Sequence, residues 1–404
     1  MGILRNVLLI AKSQNYINRR LCSSGRKVLG IETSCDDTGA AVVDEFGNIL
    51  GEEKISQNDI HIRNGGIIPP IARNLHQQNI RQVVDTALQQ SGCKLEDLSG
   101  IAATVRPGLS LSLLVGCNYA KELVQLSQKP FLPIHHMEAH ALTVRIVHPV
   151  EFPFTVLLAS GGHCQLAFVK SVTDFQLLGH CLDNAPGEAI DKFARRLKLK
   201  NIAEFRTMSG GQAVETLASR SGNQLAYEYP LTLKHSPDCN FSFSGILFNG
   251  LRHIQDSERK LGILGDEMLP DLEDMCASYL RAVTQHIVKR VQRGLTFLDR
   301  TEMAPTSQSQ RFLVLSGGVA CNRYIRAALA YMAEQMEYQF FAPPPHLCTD
   351  NGTMVAWYVP LPSSIYHRFY LHKSGNYLNR IWNEIHYKVV LLFLINKLVH
   401  TMTS

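Results

Sequence analysis

The stretch FPFTVLLASGGHCQLAFV, Phe152 to Val169, decides the fold: an apolar run stops at Ser160-Gly161-Gly162 and resumes as a second alternating strand. A matching pattern lies far downstream in RFLVLSGGVACNRYIR, Arg311 to Arg326, where another apolar strand ends in Ser-Gly-Gly. Diglycines at strand ends let backbone amides approach a phosphate with no Cβ in the way. Two such places in one chain imply two lobes closing over a nucleotide.

Outward from the first diglycine, Phe175 to Leu182 completes a set of three strands, and the start of the chain repeats the theme. Val28 to Glu32 reads as a buried strand, Ala40 to Asp44 as its hairpin partner and Ile49 to Ile55 as a third strand. The polar turn Thr33 to Gly39 lies between the first two; it is either an ordinary Asp/Gly hairpin or the phosphate-touching hairpin of an actin-like ATPase fold. Helical spacing of Ile71, Leu75, Ile80, Val84 and Leu88 predicts an amphipathic helix over about 71 to 91. A short strand at Gly100 to Val105, a break at Pro107-Gly108 and a helix from about Leu109 to Leu126 follow. Such alternation argues for α/β layers.

Phe131 to Ile134 leads into His135-His136-Met137-Glu138-Ala139-His140. Four residues apart on a helix, His136 and His140 project from one face and could hold one metal ion, although such pairs also occur on solvated faces. A metallopeptidase reading is weaker, because Met137 stands where H-E-x-x-H carries its glutamate. Gly187 to Leu197 is helical, and its central Asp191 is expected either in solvent or paired with Arg195. Lys198 to Asn240 lacks periodicity and reads as an insertion carrying Ser209-Gly210-Gly211. The basic run Arg195 to Lys200 is a solvated face or lies along a phosphate backbone. Downstream come a long helix over Leu272 to Phe297, a polar loop at Thr301 to Gln310, a helix from Cys321 to about Met336, and a last strand at Tyr338 to Ala342 stopped by Pro343-Pro344-Pro345. Asp350 sits at a strand-to-helix junction, where on its own it reads as a helix cap.

At 404 residues and 45% hydrophobic composition the chain can form two domains with ample cores. A formal charge of +5 permits an acidic partner such as RNA without requiring one. Its ten cysteines include no C-x-x-C pair, which leaves zinc ribbons and thioredoxin-like sites unsupported and fits small buried side chains in a reducing compartment. Met1 to Lys27 carries six Lys and Arg and no acid, the pattern of a mitochondrial transit peptide. The apolar Val389 to Ile395 is too short to span a bilayer, so no membrane insertion is expected.

GIETSCDDTGAAVV (30–43), HHMEAHAL (135–142), LLASGGHCQL (157–166), FSFSG (241–245), LSGGVACNRYIR (315–326) and CTDNG (348–352) together resemble the tRNA N6-adenosine threonylcarbamoyltransferases, once called O-sialoglycoprotein endopeptidases. With its basic leader, the chain is similar to the mitochondrial members. The resemblance covers about residues 28 to 357 and implies the actin/hexokinase-like ATPase (ASKHA) fold of two related lobes with a cleft between them. The expected organisation is a leader at 1–27, a first lobe at 28–150, and a second at 151–357 with an insertion near 198–240. By the same resemblance, His136, His140 and Asp350 are ligands of one divalent ion, zinc or iron. The matching substrate positions are Leu158, Ala159, Ser160, Gly161, Gly162, Asp191, Gly211, Glu215, Cys321, Asn322 and Thr349. Implied partners are tRNA, threonylcarbamoyl-AMP and a second copy of the chain. The chain departs from the family at Pro69-Pro70, Arg106-Pro107-Gly108 and Ser209-Gly210-Gly211, and 358–404 looks unrelated to it. An inactive actin-like module, suggested by that tail, and a small-molecule kinase of the same fold are the alternatives; the kinase has no need of the histidine pair.

Overall fold

The computed structural model describes residues 25–64 and 66–358, so the expected leader up to residue 24 and the tail from residue 359 lie outside the described residues. Two five-stranded mixed sheets carry the fold. The first contains β1 (Lys27–Glu32), β2 (Asp37–Asp44), β3 (Ile49–Ser56), β4 (Gly100–Arg106) and β5 (Phe131–His135), in the order β3-β2-β1-β4-β5. The second contains β6 (Phe154–Ala159), β7 (Cys164–Ser171), β8 (Asp174–His180), β9 (Phe312–Ser316) and β10 (Gln339–Phe341), in the order β10-β9-β6-β7-β8. Read from the other edge, the second order repeats the first. Each sheet opens with two antiparallel pairings and closes with two parallel ones. The diglycine strands β6 and β9 are thus neighbours, paired from Thr155 with Leu313 to Leu158 with Ser316.

Continuous apolar runs are what a sheet covered on both faces requires. Along β1, Leu29 and Ile31 face outward onto α2 (Pro69–Ser91) and α3 (Ser110–Ser127), meeting Ile80, Val84, Val115 and Leu123. Val28, one residue out of step, faces the opposite way, as the period of two in a strand demands. On the outer face of the second sheet, Leu157, Leu166 and Phe168 pack with α6 (Pro186–Arg196), α7 (Gly210–Ala218), α8 (Ser244–Leu261), α9 (Leu272–Arg300) and α10 (Arg323–Gln335). At the centre of this core, Phe193 stacks on Tyr279 with ring centroids 3.8 Å apart, and the Tyr279 hydroxyl donates to the Ala189 carbonyl.

A third core lies between the two sheets and determines the site. It joins Val28, Ala41, Val43, Ala102 and Ile134 to Phe154, Val156, Leu158, Val169 and Val314. It is filled by α4 (His136–Leu142), which follows the last strand of the first sheet, and α12 (Gly352–Trp357), which follows the last strand of the second. The helix that ends the second half packs on β1 and β2 of the first sheet. Contact there is so close that a Cβ on Gly30 would lie 2.3 Å from the Ala356 nitrogen, and one on Gly352 would lie 2.3 Å from the Ala40 carbonyl carbon.

The region expected as an irregular insertion contains α7, whose N-cap Ser209 accepts from the Gln212 amide at 3.2 Å. Glycines at its first two positions hide it from a periodicity reading. The helix α8 likewise follows a motif whose sequence shows no helical repeat. Asp183 supplies the missing start signal from far away, accepting from the Phe243 amide at 2.8 Å and the Ser244 amide at 3.3 Å. The remaining irregular segment is clipped to α9. Arg290, nearly fully buried, donates to the carbonyls of Leu233, Ser236 and Asp238, and Arg293 donates to Ser236 and Asp238.

Candidate active site

The crossing of α4 and α12 brings three donors together. His136 and His140 lie one turn apart on α4, and Asp350 stands two residues before α12; their ligand atoms all fall within 4.8 Å of one another. Nε2 of His140 is 3.0 Å from Oδ1 of Asp350, and Nε2 of His136 is 3.5 Å from the same oxygen. The imidazoles meet edge to face, with centroids 4.6 Å apart.

Behind His136 sits a residue that sequence reading placed only as a strand end. Glu32, fully buried at the end of β1, receives His136 Nδ1 on Oε2 at 3.2 Å. Its carboxylate is held in turn by the Ser34 amide at 2.6 Å and the Thr104 hydroxyl at 2.5 Å. A carboxylate on Nδ1 sets the tautomer that leaves the Nε2 lone pair free to bind a cation. The available signal was a glutamate closing an otherwise apolar buried strand, a placement that needs a partner.

Electrostatics agree with a cation site. Burial would raise Asp350, but the His136 charge and the His140 hydrogen bond hold it well below the usual carboxylate range. Burial would also lower His136, and against that Asp350 and Glu32 pull it up to about 9. The buried Glu32 and the partly exposed Asp350 around two imidazoles form a pocket that prefers a positive charge. The donor set of two imidazoles and one carboxylate fits a divalent ion with coordination positions to spare.

Of the other positions singled out by resemblance, Leu158 and Ala159 are buried within β6, while Ser160, Gly161 and Gly162 form the turn after it. A Cβ on Gly161 or Gly162 meets no atom, so this turn has room in front of it. Gly317 is different: its φ is +93° and a Cβ would lie 2.4 Å from the Ala159 carbonyl oxygen, so close strand packing demands it. Gly318, the second glycine of that pair, has open space at its Cβ. Asp191 accepts from the Gly211 amide at 3.1 Å, and burial raises its pKa. Glu215 receives the Arg323 amide at 2.9 Å, tying α7 to the start of α10. Asn322 caps α10 through Ile325, and Thr349 accepts from Lys54 at 3.0 Å. Cys321 is half-buried at the end of the turn after β9.

Two polar stretches make bonds within the protein. The basic run after Arg195 is committed to the fold: Arg196 grips Glu258 with both terminal nitrogens, Lys198 donates to the Gly265 carbonyl at 2.6 Å, and Lys200 to the Arg206 carbonyl at 3.2 Å. The polar turn after β1 also faces inward, with Thr38 bonded to His76 at 2.7 Å and Asp37 paired with Lys54 at 3.2 Å.

A duplicated sheet topology with a candidate donor set for a cation at the crossing of the two halves defines an α/β protein built on two copies of one five-stranded sheet. A family model described as tRNA N6-adenosine threonylcarbamoyltransferase matches residues 48–357. Similar chains include the mitochondrial tRNA N6-adenosine threonylcarbamoyltransferase of Xenopus tropicalis, 52% identical over 82% of this chain and 81% of the relative. The Homo sapiens protein of that name is 50% identical over 82% and 79%, and the tRNA N6-adenosine threonylcarbamoyltransferase of Rhizobium etli 38% identical over 82% and 87%. The chain belongs to the tRNA N6-adenosine threonylcarbamoyltransferase family. It is a tRNA-modifying transferase, and it is mitochondrial. No helix among the described residues is long and apolar enough to cross a membrane.

Proposed function

We propose that the chain transfers the threonylcarbamoyl group of threonylcarbamoyl-AMP to the N6 amine of the adenosine beside the anticodon in mitochondrial tRNAs that read ANN codons. The observation that carries this reading is the convergence of His136, His140 and Asp350 between the two halves, within electrostatic reach of His163, which directly follows the open turn Ser160-Gly161-Gly162. We assign residues 28–150 to the first lobe and 151–357 to the second, each lobe lending its last helix to the core between them. The same reading makes the enzyme a homodimer.

His136, His140 and Asp350 would hold the ion, zinc or iron. When bound, it supplies Lewis-acid polarisation of substrate oxygens. The remaining work falls to the chain. The amides of Gly161 and Gly162 accept close approach by the adenylate, and Asp191 accepts from its hydroxyls. With its oxygen engaged by the α10 cap, Asn322 has its amide hydrogens left to donate, and Thr349, accepting from Lys54, keeps its own hydroxyl proton to give. AMP is a good leaving group and an exocyclic adenine amine is a poor nucleophile. Orientation and exclusion of water therefore matter more than a strong base.

The test uses the full chain, threonylcarbamoyl-AMP and a tRNA transcript, with the modified nucleoside read by mass spectrometry. Product should appear with adenosine beside the anticodon and vanish when guanosine replaces it. Absence of product from metal-loaded protein on the adenosine transcript overturns the reading.

A further inference from the structure

Two cysteines outside the metal group lie on adjoining elements at the turn that follows β9. Cys321 ends that turn, and Cys348 ends α11 (Pro345–Cys348), the element immediately ahead of Thr349 and Asp350. The two elements that end in these cysteines, Gly318–Cys321 and Pro345–Cys348, pack against each other. The Cys321 sulfur lies 3.7 Å from the Pro345 carbonyl and the Cys348 sulfur 3.3 Å from the Pro343 carbonyl, so both line the same short loop. Arg326 completes the group, bonded to the Pro343 carbonyl at 2.9 Å with the same nitrogen 3.9 Å from the Cys348 sulfur. Cys321 is half-exposed and Cys348 is buried.

We propose that Cys321 and Cys348 form a reversible disulfide on exposure to hydrogen peroxide, with Cys321 attacking first and Cys348 resolving. The Cys321 thiolate attacks one peroxide oxygen; the O–O bond breaks and hydroxide leaves, taking up the proton released by Cys321 as water. The Cys348 sulfur then attacks the sulfenic acid; the S–O bond breaks, the S–S bond forms, and the hydroxyl leaves with the Cys348 proton as a second water. Two thiols are oxidised and one peroxide is reduced to two waters.

The assignment of roles follows exposure and charge. The neighbouring Cys348 and the Arg326 guanidinium hold Cys321 down to about 7, in the range of reactive thiols, whereas burial raises Cys117, Cys164 and Cys276. An oxidant from solvent reaches Cys321 before Cys348. The bond would tie the α11 turn, which presents Asp350, to the turn that presents Asn322, and so acts on the loops of the site without consuming a metal ligand.

Peroxide treatment of the full-length protein, thiol blocking and digestion without reductant should yield one peptide pair joined through Cys321 and Cys348, with the loss of two hydrogens, reversed by dithiothreitol. In C348S a dimedone adduct should build up on Cys321; in C321S neither link nor adduct on Cys348 should appear. Separate blocked Cys321 and Cys348 peptides from wild-type protein, under peroxide that oxidises the half-exposed Cys181, overturn the proposal. So does dimedone capture at Cys348 ahead of Cys321. The wild-type mapping needs no variant to fold.

Discussion

In the proposed site Glu32 would stand behind the cation rather than against it, its hydrogen bond to Nδ1 leaving Nε2 of His136 to face the ion. Replacing Glu32 with glutamine keeps the shape and removes the charge that fixes the tautomer, so metal affinity in E32Q should fall about 10–100-fold with the fold intact. Competition against a chelator of known affinity measures this, and an unchanged constant removes Glu32 from the account. A second residue, His286, governs stability in acid. Its Nε2 accepts from the Ser242 amide at 3.1 Å, and its ring packs against the edges of Phe241 and Phe243. Burial, aided by Arg290, lowers its pKa from 6.5 to about 4. The unfolded chain therefore binds a proton that the folded chain refuses between those values. Stability is fully present above pH 6.5 and is lost as pH falls toward 4, by up to about 3 kcal/mol. Urea midpoints of wild type and H286Q across that window should converge in acid; parallel curves would show the ring to be irrelevant.

At the level of elements, the docking of α12 on β1 and β2 depends on missing side chains. G30A places a methyl against the Ala356 backbone and should cost about 1–3 kcal/mol, while G161A, with nothing near its Cβ, should leave stability within about 0.5 kcal/mol. Denaturant melts of the two variants distinguish packing glycines from the open turn. R290M takes the buried guanidinium from the segment around Leu233 to Asp238, leaving the Leu233 carbonyl without it and Ser236 and Asp238 with Arg293 alone, at a cost of about 1–3 kcal/mol. Limited proteolysis should then cut that segment well before the rest, and an unchanged digestion pattern would show the clip to be dispensable. These contrasts also explain what could be read from residues alone. The strands, the long α9 and the two diglycines announce themselves by apolar runs, because burial on both faces writes itself into local composition. The helices α7 and α8 do not, since their starts rest on glycines and on Asp183, distant in sequence. Glu32 was visible only as a charge ending a buried strand; its partner lies 104 residues away.

Taken as a whole, the molecule places its candidate cation donors on both halves, with both histidines following the first sheet and Asp350 following the second. A divalent ion that binds only this folded arrangement stabilises it by mass action, by about 2.7 kcal/mol at a hundredfold excess over Kd. Zinc or ferrous iron should therefore raise the melting temperature of the full chain, a chelator should reverse the rise, and D350A should show neither response. Equal shifts in wild type and D350A would place the ion elsewhere. The family was recognisable from six short motifs, yet the reason those motifs are spread over 323 residues emerges only with topology: they lie along the turns and crossing helices that the two sheets bring together. The exchange of terminal helices also has a consequence for biosynthesis. On the ribosome β1 and β2 are made first, but their inner face waits for Gly352 to Trp357, which are translated hundreds of codons later. A nascent chain therefore carries an uncovered glycine-lined face until Gly352 to Trp357 have left the ribosome, so strands made early are completed late.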